Sequence, residues 1–251
     1  MIKVSVIIPA YNEEQYIFEC LKSLQKQSYK YMEIVVVDDG STDKTPEIAK
    51  SFKNVRLVKG EHKGPGVSRN LGSNIARGDI LVFVDADMSF DKDYVKNLIK
   101  PILENKDIVG TTHDYEIATN TDNLWSGLWG KERISRDNLN AVIFRAILRR
   151  KFLEMGGFDP KYGYADDQTF WFKYKLRPVI ARNTTCYHRN PESLKEVYKQ
   201  SKWIGAGSSL TNKIDELLII KYFILVGFII ASPIAILILS MMRCYKNRNF
   251  W

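Results

Sequence analysis

Cysteine is scarce in this 251-residue chain: Cys20, Cys186 and Cys244 are odd in number and far apart. That excludes a disulfide framework and fits a reducing compartment. Histidine is equally sparse, with three in all, and His62 and His113 share no ligand spacing with each other or with a cysteine, so a zinc site is not expected. No G-x-x-x-x-G-K-[ST] run occurs, and Gly64-Pro-Gly66 followed by Arg69 fails the G-x-G-x-x-G pattern at its third glycine. P-loop and dinucleotide-binding chemistry are thereby set aside. Repeats and low-complexity tracts are absent, and the chain starts directly at a strand-like run, so no signal peptide is expected. Asn183-Thr-Thr185 is a formal glycosylation sequon that matters only outside the cytosol. The formal net charge is +8, but the basic residues are scattered, and nucleic acid is not the expected partner.

What the chain does have is apolar residues, 45% of the total, enough to bury one large core. Val4 to Ile8 is a β-branched run stopped by Pro9, and Glu13 to Gln27 then sets Tyr16, Ile17, Cys20, Leu21 and Leu24 at helical spacing. Ile34 to Val37 is a second strand, followed by Asp38-Asp-Gly-Ser-Thr-Asp43 and a helix from near Thr45, where Pro46 suits the first turn and Glu47 the dipole. Val55 to Val58 and Ile80 to Val84 supply two more strands, with a helix from about Pro65 to Arg77 between them. Continuously apolar strands alternating with helices predict an α/β fold, a mostly parallel sheet covered on both faces. Ligands of such sheets sit at the carboxyl ends of the strands.

Three acidic pairs stand out. Asp85 and Asp87 end the run Ile80-Leu-Val-Phe-Val84, Asp38-Asp39 ends Glu33-Ile-Val-Val-Val37, and Asp166-Asp167 lies far downstream. Two carboxylates one residue apart at a strand's carboxyl edge are hard oxygen ligands suited to Mg²⁺ or Mn²⁺ and the phosphates such an ion carries. A nucleotide diphosphate is the expected ligand. Taken singly, each pair is also an ordinary turn or helix cap.

Val-Ser-Val-Ile-Ile-Pro-Ala-Tyr-Asn-Glu-Glu (4 to 14), Val-Val-Val-Asp-Asp-Gly-Ser-Thr-Asp (35 to 43), Gly-Val-Ser-Arg-Asn-Leu-Gly (66 to 72) and Val-Asp-Ala-Asp (84 to 87), in this order, resemble glycosyltransferase family 2 over about residues 3 to 205. The resemblance implies a GT-A fold, Rossmann-like, with a mostly parallel mixed sheet, binding a nucleotide-sugar in about residues 1–110 and an acceptor in about 111–212. It implies a base-stacking role for Tyr11, with Pro9, Ala10, Asn12 and Glu13 lining the same nucleotide-sugar pocket. Asp39 resembles the carboxylate that accepts the base N–H, which favours uracil and hence a UDP-sugar. Arg69 resembles the basic residue near base or phosphates; a helix-face arginine paired to a neighbouring Asp is the alternative. Asp85 is similar to the residue touching the ribose, Ala86 lies between, and Asp87 is similar to the ligand of Mn²⁺ or Mg²⁺.

Gly156-Gly-Phe-Asp159 and then Gly163-Tyr-Ala-Asp-Asp-Gln168 resemble the family's Gly-Gly-Phe-Asp and Glu-Asp pattern, whose second acid deprotonates the acceptor hydroxyl. In the register that also sets Lys173 at the usual basic position, Asp167 is the base; the other register makes it Asp166. Their position also suits a helix N-terminus. His188 is close to where some GT-A enzymes place a further metal or diphosphate contact, or else it caps a helix beginning near Glu192. Gln200-Ser-Lys-Trp203 is similar to the Gln-x-x-Arg-Trp signature of processive members, but Lys202 replaces the Arg, so a single addition is expected. Trp203 either floors the acceptor site or packs in a core.

Residues 222 to 242 hold no charge over 21 positions, enough for one membrane helix, or for a hairpin broken at Ser232-Pro233. The segment 213–251 is therefore expected to be membrane-associated, with Arg243, Lys246 and Arg248 after it favouring the cytosolic side. The expected whole is an inverting, metal-dependent enzyme at the cell membrane, its catalytic domain facing the cytoplasm and its acceptor a lipid-linked or membrane glycoconjugate. A polyprenyl-phosphate glycosyl synthase and an inactive nucleotide-binding scaffold are the alternatives.

Overall fold

A computed structural model describes residues 2–129, 132–134 and 141–201. Trp203 and the apolar run 222–242 lie outside these residues. Among the described residues no helix is long and apolar enough to cross a membrane.

The first half is built from β-branched strands and the helices that cover them. β1 (Val4–Ala10) pairs in parallel with β2 (Met32–Asp38) on one side and β4 (Ile80–Phe83) on the other, and β2 pairs with β3 (Val55–Lys59). Period-two alternation sends the side chains of β1 to two cores. Val4, Val6, Ile8 and Ala10 join α1 (Ile17–Gln25), α2 (Thr45–Ser51) and α4 (Tyr94–Glu104) on one face. Ile7 joins Val35, Val37, Leu81 and Phe83 on the other, beneath α3 (Pro65–Ile75). Each such side chain, fully buried, contributes roughly 1.5–3 kcal/mol. α3 can lie this close because Gly72 has no side chain: a Cβ there would meet Ile7 Cγ2 at 2.5 Å.

The second half departs from parallel pairing. β6 (Gly110–Ala118) and β8 (Ala146–Leu148) are antiparallel, β8 also runs antiparallel to β4, β9 (Val179–His188) returns parallel to β6, and β5 (Met88–Phe90) is antiparallel to β9. The order is β3-β2-β1-β4-β8-β6-β9-β5, with β7 (Glu132–Ile134) beside β6. α5 (Leu124–Trp129), α6 (Arg149–Glu154), a kinked 3₁₀ stretch (Pro160–Gln168) and α7 (Thr169–Tyr174) complete the described chain. Phe83, Phe144, Phe152, Phe158 and Phe170 pack edge-on or tilted, fixing this stretch against the sheet.

One element starts later than its periodicity predicts. The helix expected from Glu13 begins at Ile17; residues 14–16 form a turn before it, and the amides of Glu13 and Glu14 donate to Thr45 Oγ1 (2.7 Å) and Asp43 Oδ2 (3.1 Å). Those amides tie the loop after β1 to the loop after β2.

Candidate active site

Parallel pairing of β1, β2 and β4 brings three strand ends to one edge. Ala10 is in register with Asp38, the Asp39 amide donates to the Ala10 carbonyl at 2.8 Å, and Val84 to Asp87 follow β4 directly. Asn12, at φ 57°, locks the edge: its Oδ1 accepts from the Thr42 amide at 2.8 Å and its own amide donates to Ser41 Oγ. The Asp39 carboxylate is buried and accepts from the amides of Lys63 (3.1 Å) and Gly64 (2.8 Å), one on each oxygen, which leaves a lone pair on each. Tyr11 is partly exposed and its ring lies 4.3 Å from that of His62, whose Nδ1 sits 2.9 Å from the Asp39 carbonyl. His62 thus belongs to this edge, which its sequence spacing did not indicate.

Deeper in, ionised groups alternate in sign. Asp85 accepts from Arg69 Nη2 at 2.7 Å and from Arg145 Nη1 at 3.2 Å. Although burial opposes it, the two guanidinium groups hold Asp85 well below the usual carboxylate range. Arg69 also donates to Asp166 Oδ1 at 3.2 Å, so its guanidinium braces two acids. Arg145, which no motif singled out, reaches within 3.8 Å of Glu116 on β6. Glu116 Oε1 lies 2.7 Å from His188 Nδ1, and His188 Nε2 lies 2.8 Å from Asp87 Oδ2. His188 is 9% exposed at the end of β9, with both ring nitrogens on carboxylates; it is not a helix cap. Glu116 and Arg145 escaped the sequence search because nothing in one strand says which neighbour it will face. The one available signal was a charged pair, Asp114 and Glu116, two positions apart in one strand, and both side chains are buried.

The 3₁₀ stretch turns at Gly163 (φ 54°) and delivers Asp166 and Asp167 to the same region. Asp166 is 4% exposed, and its carboxylate sits so close to α3 that a Cβ on Gly66 would meet Oδ2 at 2.3 Å. Burial, despite Arg69, pushes Asp166 up to about 7, with Asp167 adding to the rise. Burial also raises Asp167, against the opposing charges of Arg69 and Arg145. On the β1 side Glu13 is pushed up to about 8, first by burial and then by Asp87 and Asp85.

The donor set fits a hard divalent cation. Ligand atoms at about 2.1 Å from one ion stand roughly 3 Å apart at right angles, and Asp87 Oδ2 and His188 Nε2 are 2.8 Å apart. The carboxylate behind His188 is the usual support of a ligating imidazole. Asp87 and Asp85 lie close enough to Glu13 to add to the rise that burial gives it, a negative field that a cation relieves. A second group, His113, Glu116 and Cys186, places ligand atoms within 4.8 Å of one another in the buried interior.

The model of "Glycosyl transferase family 2" matches residues 5–158. The putative glycosyltransferase EpsH of Bacillus subtilis is 34% identical over 206 residues, 74% of this chain and 60% of EpsH. The chain spans 21% and 40% of the length of two Streptococcus pneumoniae glycosyltransferases, GlyA and GlyG. Among solved structures, S. aureus TarS 1–349 in complex with UDP-GlcNAc superposes with a TM-score of 0.58 at 27% identity, covering 78% of this chain and 60% of that one. The mannosyltransferase PcManGT from Pyrobaculum calidifontis, in complex with GDP-Man and Mn²⁺, gives 0.61 at 24%, covering 80% and 61%. The sheet and its flanking helices are accordingly of GT-A type.

Proposed function

The chain belongs to glycosyltransferase family 2, and from that premise we propose that it moves a sugar, with inversion, from a UDP-sugar to a hydroxyl of a lipid-linked or membrane glycoconjugate. The observation that carries this reading is the convergence, on one sheet edge, of an acid able to read a base, a cation-binding pair and a raised carboxylate. Tyr11 offers an aromatic face to a base, and each Asp39 oxygen keeps a lone pair to accept an imide N–H of uracil. TarS, a relative in fold, was solved with UDP-GlcNAc, which supports a uridine donor.

Asp87 and His188 would hold Mg²⁺ or Mn²⁺, and a bound ion would supply charge neutralisation for a departing diphosphate. PcManGT, whose structure holds Mn²⁺, supports that choice. This chain's own part is positional and electrostatic. Arg69 and Arg145 fix Asp85 from two sides, so its carboxylate meets the ligand preorganised rather than solvated. Asp166 is spent on Arg69, which leaves Asp167 to take a proton from the acceptor hydroxyl.

Thermal shift of the purified full chain against a panel of nucleotide-sugars, with and without Mn²⁺, tests the donor. A UDP-sugar is expected to raise the midpoint, more so with Mn²⁺, since stabilisation follows binding to the folded state. A response to GDP- but not UDP-sugars would overturn the uridine assignment.

The membrane context rests on the uncharged run 222–242 and the basic residues after it. The full chain is expected to sediment with membranes and to resist high-salt extraction, which releases proteins held by charge alone. Release by salt would leave only a surface contact, made by the basic residues.

A further inference from the structure

Glu116 is 3% exposed. An ionised carboxylate in such a place costs several kcal/mol unless cations and donors surround it, and two of its partners, His188 and Arg145, lead toward the site. Oε1 lies 2.7 Å from His188 Nδ1; Oε2 lies 3.2 Å from His113 Nε2 and 3.8 Å from Arg145 Nη2. Those two imidazoles and that guanidinium supply the donors and the positive charge such a carboxylate needs. The sheet dictates the meeting: β6 and β9 run parallel with Ala118 beside His188, and β9 pairs with β5 so that Met88, next to Asp87, also faces His188.

We propose that Glu116 is the positioning residue of the cation site, holding His188 by Nδ1–H so that its Nε2 lone pair is presented beside Asp87. The inference deepens the cation-dependent reading above and rests on it. A neutral imidazole carries one N–H, and whichever nitrogen is engaged as donor leaves the other as ligand. With Nδ1 committed to Glu116, Nε2 and Asp87 Oδ2 face each other at 2.8 Å as two electron pairs. A proton or a cation must lie between them. Arg145 extends the arrangement, since it contacts Glu116 and Asp85 together, so the imidazole and the Asp85 carboxylate are set by one buried framework. The nearby His113, Glu116 and Cys186 cluster is part of that support: Glu116 is already engaged by His188 and Arg145, and His113 Nδ1 by Tyr94 Oη at 3.1 Å.

The test is Mn²⁺ binding to the purified full chain without nucleotide-sugar, read by EPR of the free ion, for the unmodified protein, Glu116→Gln and Glu116→Ala. Loss of such a carboxylate typically weakens metal binding about 10–100-fold. Glu116→Ala is expected in that range and Glu116→Gln nearer its lower end, because the amide oxygen still accepts from Nδ1–H without the charge. Should the Ala variant fail to fold, the Gln variant carries the measurement, with thermal midpoints in EDTA showing that the comparison is between folded proteins. ¹⁵N-edited NMR of the histidine rings supplies a readout that mere packing would not move. His188 is expected as the Nδ1–H tautomer with Nε2 shifted by Mg²⁺, and as a mixture in Glu116→Gln. Affinity within twofold of the unmodified protein in a folded variant, or an Nε2–H tautomer with Mg²⁺ present, would overturn the proposal while leaving the cation site standing. No Mn²⁺ binding by the unmodified protein would overturn both.

Discussion

Asp167→Asn is expected to lower sugar transfer by about 10²–10⁴-fold, the usual contribution of a positioned base, while nucleotide-sugar binding persists. The amide keeps the shape of the carboxylate and loses only its capacity to accept the acceptor's proton. Direct titration of donor binding beside a transfer assay separates the two. The pH dependence has a definite sign. Burial raises Asp167 above the ordinary range of about 3.9 for an aspartate, and a base works only when ionised. Transfer should therefore fall as pH drops through that raised value, on a limb displaced to higher pH, and the Asn variant should lose the limb. Asp166→Asn is the companion measurement. Asp166 accepts from Arg69, and burial first, with Asp167 adding to it, pushes it up to about 7. Its removal should chiefly cost stability, by leaving a buried guanidinium with one acid instead of two. A crippled but folded Asp166→Asn, alongside a mild Asp167→Asn, would move the base one residue back.

The second large effect concerns Asp87. Asp87→Ala should reduce transfer to background, beyond the roughly 10²–10³-fold typical for loss of one electrostatic stabiliser. It removes a ligand of the cation and leaves His188 Nε2 without the carboxylate now 2.8 Å away. EDTA should do the same to the unmodified protein, and added Mn²⁺ or Mg²⁺ should restore it. Full turnover in excess chelator would sink the cation-dependent mechanism. A surviving donor-induced thermal shift in Asp87→Ala would locate the loss in the chemical step.

Local sequence determined the first half of the molecule almost alone. β-Branched runs such as Val4 to Ile8 and Ile34 to Val37 have no polar face to leave in water, so they become buried parallel strands, and the turn residues that follow them must emerge at one edge. That rule alone puts the acidic pairs at Asp38-Asp39 and Asp85-Asp87 on this edge. The mixed half obeyed no such rule, because a three-residue strand like Ala146–Leu148 has too short a pattern to announce itself or its antiparallel partners.

Pairing across distance was beyond the sequence for a related reason. Arg69 and Arg145 are separated from Asp85 by 16 and 60 positions, and Glu116 from His188 by 72. Helical or strand periodicity links residues a few positions apart, not tens. Even the loop before α1 was fixed by a neighbour, since the amides of Glu13 and Glu14 donate to Thr45 and Asp43, some thirty positions on. Chemistry-bearing residue types and the edge they occupy were therefore written locally. Which carboxylate is neutralised, which is raised and which orients the imidazole depended on charges brought within about 3–4 Å by the sheet, where Coulomb and desolvation energies are large enough to decide.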